Sequence, residues 1–86
     1  MFTSSGLTAF VPTADLDAAD AFYGGTLALP RIDASPFANV YDSDGTQLRV
    51  TLVDHVDAQA HTILGWNVAD IDVAVRELVA AGVELR

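Results

Sequence analysis

Ala14-Asp15-Leu16-Asp17-Ala18-Ala19 returns 55 positions later as Ala69-Asp70-Ile71-Asp72-Val73-Ala74. Self-similarity at a fixed offset constrains architecture more than any local propensity does. Both copies follow an apolar, strand-like run, Leu7 to Val11 and Thr62 to Val68, and both lead into a helical run. Two copies fit a duplicated strand–helix unit better than a solenoid. The stretch Leu7 to Leu29 therefore organises the rest of the chain.

The spacing of apolar residues predicts the elements in order. Met1 to Gly6 is a polar lead. Leu7 to Pro12 alternates, with Leu7, Ala9 and Val11 on one face and Thr8, Phe10 and Pro12 on the other. Pro12 has no N–H to give a ladder and is expected to end the strand. Asp15 is the expected N-cap of a first helix whose buried stripe is Leu16, Ala19, Phe22 and Tyr23. Gly24-Gly25 is expected to end it. Arg31 to Ala34 is a weak strand, Ser35-Pro36 interrupts it, and Phe37 to Tyr41 resumes. Asp42 to Gly45 is a turn, with Asp44-Gly45 suited to positive φ in a hairpin. Thr46 to Val53 is the clearest strand, with Leu48, Val50 and Leu52 on one face and Gln47, Arg49 and Thr51 on the other. Residues 54–61 form a polar connection. The second copy then gives a strand over Thr62 to Val68, an N-cap at Asp70, and a helix to about Ala81. Its stripe is Ile71, Ala74, Val75 and Leu78, with Gly82 at C′. Val83 to Arg86 begins another strand. Trp66 shares parity with Leu64 and Val68 and is expected in the core.

With 86 residues, the chain is expected to be one small domain or part of one. A chain this short buries only roughly 60–65% of its unfolded surface. Yet 51% of its residues are hydrophobic and mean hydropathy is +0.33, a surplus that suggests association with a second copy. The net charge of −8 repels phosphate backbones, so nucleic acid is not an expected partner. The same acidity favours solubility and would attract cations. There is no cysteine, which excludes disulfides, thiolate nucleophiles and cysteine metal sites. No apolar run is long enough to span a membrane and no basic n-region precedes an apolar one. No membrane partner is expected, and a cytoplasmic location is the default.

The resulting order is βαβββ, then βα and the stub of a strand. Val11-Pro12 before Asp15-Leu16, Phe22-Tyr23, Leu27, Leu29-Pro30, Asp44-Gly45-Thr46, Gly65-Trp66-Asn67-Val68 before Asp70-Ile71, and Ala80-Ala81-Gly82-Val83 stand in a recognisable order. In it the chain resembles the vicinal oxygen chelate superfamily of glyoxalase I, bleomycin-resistance proteins and extradiol dioxygenases. The resemblance implies an α+β fold. Two βαβββ modules enclose a cleft between curved mixed sheets, with the helices outside. The first module is 7–53 and the second, 62–86, is incomplete. Either the chain is a piece of a longer one or the rest of the cleft comes from elsewhere. Ala28 stands where many members carry glycine, so the turn after the first helix is expected to differ.

Enzymes of that superfamily hold a divalent metal at four cleft positions, on the first and last strands of each module. The resemblance places three of them at Thr8, Arg49 and Ile63, and the fourth beyond Arg86. None of the three is a plausible ligand: isoleucine has no donor and a guanidinium repels the ion. The only imidazoles, His55 and His61, lie in or beside the polar connection. Of these, His61 shares parity with Ile63, though an exposed loop histidine is the plainer reading. There is no nucleophile elbow. The pairs Asp15/Asp17 and Asp70/Asp72 are better explained as helix starts than as acid–base catalysts. No catalytic residue, metal or cofactor is therefore expected.

What remains is a cleft lined by Thr8, Phe10, Gln47, Arg49, Thr51, Ile63, Gly65 and Asn67, suited to a mostly apolar small molecule. Phe10 is placed to stack on a flat ligand. Arg49 is placed either to hold a carboxylate or phosphate or to form a salt bridge with a nearby acid. The expected function is a metal-free, glyoxalase- or bleomycin-resistance-like small-molecule binder, in one version sequestering a cationic drug. The alternatives are a metal-dependent lyase or dioxygenase with ligands outside this chain, and a dimerisation module with a closed cleft. The unpaired edge of the strand over Thr62 to Val68 predicts a two-fold homodimer with a cleft shared near Arg49 and Ile63.

Overall fold

The computed structural model describes residues 1–57 and 63–83. Ala58 to His61 of the connection, Thr62 at the start of the second expected strand, and Glu84 to Arg86 of the last lie outside the described residues. The fold is α+β, with a four-stranded mixed open sheet and two helices. The chain falls into two compact units, 1–56 and 57–86.

In the first unit the order is β1 (Thr8–Thr13), α1 (Leu16–Asp20), a π-helical continuation over Ala21–Thr26, β2 (Arg31–Ala34), β3 (Ala38–Ser43) and β4 (Thr46–Leu52). The strands lie in the order β1-β4-β3-β2. β1 runs parallel to β4, and the β3–β4 and β2–β3 pairs are antiparallel. Pro12 falls within β1, paired to Thr51, instead of ending it. The sheet tolerates it because β1 is an edge strand, where a missing N–H need not break a ladder.

The expected hairpin forms with a two-residue loop. Ser43 pairs with Thr46, while Asp44 (φ 48°) and Gly45 (φ 87°) both take positive φ, as a type I′ turn requires. That loop sets the register of β3 on β4. Tyr41 stands opposite Leu48 and Asn39 opposite Val50 on one face; Val40 stands opposite Arg49 and Ala38 opposite Thr51 on the other. The first face packs under α1, and Tyr41 and Val50 are completely buried there, with Leu48 and Ala19 close behind. The expected stripe of α1 is only partly covered: Ala19 is buried and Leu16 and Tyr23 half-buried, but Phe22 is exposed. Leu7 and Leu52, at strand ends, are exposed too.

Gly24-Gly25 does not end the first helix. The backbone passes through both in π-helical geometry, closed by Leu27 N–H donating to the Phe22 carbonyl at 2.9 Å. Glycine is needed at position 24, where a Cβ would come 2.9 Å from Asp20 Oδ1 and 3.6 Å from Tyr41 Cε1. Past the turn, Ala28 takes φ 57°, the left-handed conformation ordinarily left to glycine.

In the second unit α2 (Ile71–Ala80) forms as expected. Its end is a Schellman motif: Gly82 N–H donates to the Val79 carbonyl and Val83 N–H to Leu78, each at 3.0 Å, with Gly82 at φ 95°. Val83 thus closes the helix. The expected strand is not formed over its described residues, 63–68. Alternation supplies a strand with a face but not with a ladder, and residues 63–68 belong to no described sheet. Trp66 and Val68 are accordingly exposed, not core, with Leu64 half-buried. On α2, Ala74 and Leu78 are half-buried, whereas Ile71 and Val75 are exposed.

Candidate functional site

The register of the first unit assembles the face turned away from α1 row by row. In the central row Phe10 on β1 stands opposite Arg49 on β4, Arg49 opposite Val40 on β3, and Val40 opposite Asp33 on β2. One row on lie Pro12, Thr51 and Ala38, and one row back lie Thr8, Gln47 and Asp42. Thr8, Phe10, Gln47, Arg49 and Thr51 are therefore brought together. Phe10 is 66% exposed; Arg49 and Thr51 are half-buried, and Val40 and Ala38 are buried. The remaining expected residues, Ile63, Gly65 and Asn67, belong to the second unit and are exposed.

Val40 and Ala38 were not expected on this face. A signal for them exists in the sequence. A two-residue Asp44-Gly45 loop pairs 43 with 46, and counting back brings Val40 opposite Arg49 and Ala38 opposite Thr51.

Arg49 carries no ion pair or hydrogen bond of its guanidinium among the described residues. Two acids share its face by register, and each gives one oxygen to the backbone: Asp42 Oδ1 accepts from Gly45 N–H at 3.2 Å, and Asp33 Oδ1 from Ala34 N–H at 2.9 Å. Arg31 is paired: its Nη1 lies 3.4 Å from Asp20 Oδ2. Asp20 also accepts from the Tyr41 hydroxyl at 2.7 Å. Burial, and then that hydrogen bond, push the Tyr41 hydroxyl up to about 12. Burial also raises Tyr23, whose ring lies 5.9 Å from that of Tyr41. This cluster is on the α1 side of the sheet and holds the π-helical turn against β3.

No protein-family model, curated protein or solved structure matches the chain.

Thr8 and Arg49 are diagonal neighbours on adjacent strands. A hydroxyl beside a guanidinium is a poor donor set for a divalent cation, so these positions do not fit a metal. Among the described residues no cluster of three or more His, Cys, Asp or Glu side chains could hold a metal ion. His55 is exposed, and His61 lies outside the described residues. In each acid pair the first member is the helix cap and the second lies in the first turn. The Asp15 carboxylate accepts from Ala18 N–H at 3.0 Å, and that of Asp70 from Asp72 and Val73 N–H at 2.9 and 3.3 Å.

In the second unit a shallow depression of ≈ 290 Å³ is lined by Val68, Ala69, Asp70, Val73, Ala74 and Glu77. Its walls are mainly apolar and Asp70 is committed to the cap, so it offers little to orient a ligand. Among the described residues no helix is long and apolar enough to cross a membrane.

Proposed function

We propose that this chain is a small-molecule binder of the vicinal oxygen chelate type that works without a metal, its ligand lying on the face of Thr8, Phe10, Gln47, Arg49 and Thr51. The observation that carries the reading is the central row of that face, an exposed aromatic ring beside an arginine with no partner among the described residues, over the buried Val40. An apolar floor with a few orienting polar groups is the usual make-up of a ligand site. The strand–helix–strand–strand–strand order of residues 8–52 and the parallel pairing of β1 with β4 support the superfamily assignment. In this reading a second copy of the chain is the partner, and the protein acts in the cytoplasm.

Titrating an isotope-labelled sample with a fragment library tests it. Amide shifts should cluster on Thr8, Phe10, Gln47, Arg49 and Thr51. Hits that map only to α2, or none at all, would remove this face as the site. Calorimetric titration with zinc, nickel, manganese or iron(II) should give no one-to-one isotherm; a micromolar one abolished by substituting Thr8 or Arg49 would restore the metal-dependent lyase or dioxygenase alternative. Light scattering should give twice the 9.1 kDa chain mass; a folded monomer at micromolar concentration refutes the homodimer.

A further inference from the structure

We infer that the ligand of this face is an anion, a single carboxylate on a flat apolar body, bound by Arg49. The inference rests on the small-molecule reading above and adds the sign and shape of the ligand.

Arg49 is half-buried at the middle of the face, flanked in register by Phe10 and Val40, neither of which can offer it a charge. The two acids that share this face by register, Asp42 and Asp33, each place one carboxylate oxygen on a backbone N–H, that of Gly45 and that of Ala34. The guanidinium keeps its fork of donors without a hydrogen bond or ion pair among the described residues. A carboxylate matches that fork with two parallel hydrogen bonds, which strengthen as water is excluded. The exposed ring of Phe10 supplies a stacking surface beside it, and the hydroxyls of Thr8 and Thr51 can orient the ligand. A dianionic phosphate fits less well, because no second cation joins Arg49 on this face among the described residues. A cationic ligand would meet Arg49 head-on. The net charge of −8 disfavours unspecific adsorption of anions, so any anion preference reports a particular site.

Three matched probes, naphthoate, naphthalenemethanol and naphthylmethylammonium, are titrated at low ionic strength into the full chain, Arg49→Gln and Arg49→Lys. Naphthoate should bind the native chain roughly tenfold or more tighter than the alcohol, as a charge-assisted hydrogen bond requires. Arg49→Gln should abolish that preference while alcohol binding persists, and Arg49→Lys should keep part of it. Equal affinities, or preference for the ammonium, with shifts still on Phe10 and Thr51 overturn the anion inference and leave the binding reading intact. Absence of shifts on this face with all three overturns both. Should Arg49→Gln lose alcohol binding as well, Arg49→Lys decides: retained preference supports the inference, and lost preference overturns it.

Discussion

α1 and α2 start alike and end up in different circumstances. Asp15 (φ −146°, ψ 101°) and Asp70 (φ −143°, ψ 111°) take the same extended cap conformation, and each carboxylate accepts from the N–H three residues on. Beyond the cap the likeness stops. α1 buries Ala19 and is preceded by a strand that found a parallel partner in β4; α2 has no buried residue and is preceded by residues 63–68, which form no described strand. A cap needs only its own four or five residues, whereas a strand needs another strand. The same six-residue signal can therefore repeat while the element before it does not.

The widest gap between the two regions should appear in core truncations. Leu48→Ala, at a site only 2% exposed, should cost about 2–5 kcal/mol. Trp66→Ala should cost less than the ~3–5 kcal/mol of a buried aromatic, because Trp66 is 45% exposed. Urea midpoints read by circular dichroism compare them, and a Trp66 loss as large as that of Leu48 would show the second region to be packed after all.

Next in size is the cluster that pins the π-helical turn to β3. Tyr41→Phe should cost about 1–2 kcal/mol, at the low end for a hydrogen bond to a charged group because Asp20 is partly open to water. The pH dependence follows from the raised hydroxyl. Tyr41 titrates near 12 when folded and near 10 when unfolded. Its contribution is complete below pH ~10 and is lost as pH rises toward 12. Stability of the native chain should fall over that window, and Tyr41→Phe should flatten the fall in part, with Tyr23 still titrating. An unchanged alkaline slope would remove Tyr41 from the account.

The caps test the likeness itself. Asp15→Ala and Asp70→Ala should each cost about 1 kcal/mol. The loss at Asp70 should be at least as large, since its carboxylate accepts two N–H groups. Thermal melts of both variants measure this, and a loss at only one site would break the equivalence.

The smallest effect is a gain. Ala28→Gly should stabilise by about 0.5–1 kcal/mol, relieving an alanine held at φ 57° at some cost in unfolded-chain entropy. A lower melting temperature would mean that the alanine methyl makes a contact worth more than the strain.

Much of the candidate site was legible. Alternation in β1 and β4 put Thr8, Phe10, Gln47, Arg49 and Thr51 on the face away from the helix, and parallel pairing made that face continuous. The partners of Arg49 were not legible from charge alone. With twelve acids in the chain, a salt bridge was one of two open readings. The structure instead commits Asp42 and Asp33 to backbone N–H groups. At Ala28 the alanine takes the left-handed conformation, and the turn is closed by Leu29 N–H donating to the Tyr23 carbonyl at 3.0 Å.

The sequence by itself determined what a few neighbouring residues can settle. Both aspartate caps, the Asp44-Gly45 hairpin, the Gly82 helix end and the alternation of β4 belong here, since each is decided by local sterics and short-range hydrogen bonds. Tertiary structure decided whatever depended on finding a distant partner. It kept Pro12 inside an edge strand and carried the first helix through Gly24 so that Asp20 could meet Tyr41. It left residues 63–68 outside any described ladder, with Trp66 exposed. A strand's hydrogen bonds and a core's close packing are satisfied only by groups far away in the chain, and apolar spacing does not say whether those groups will be there.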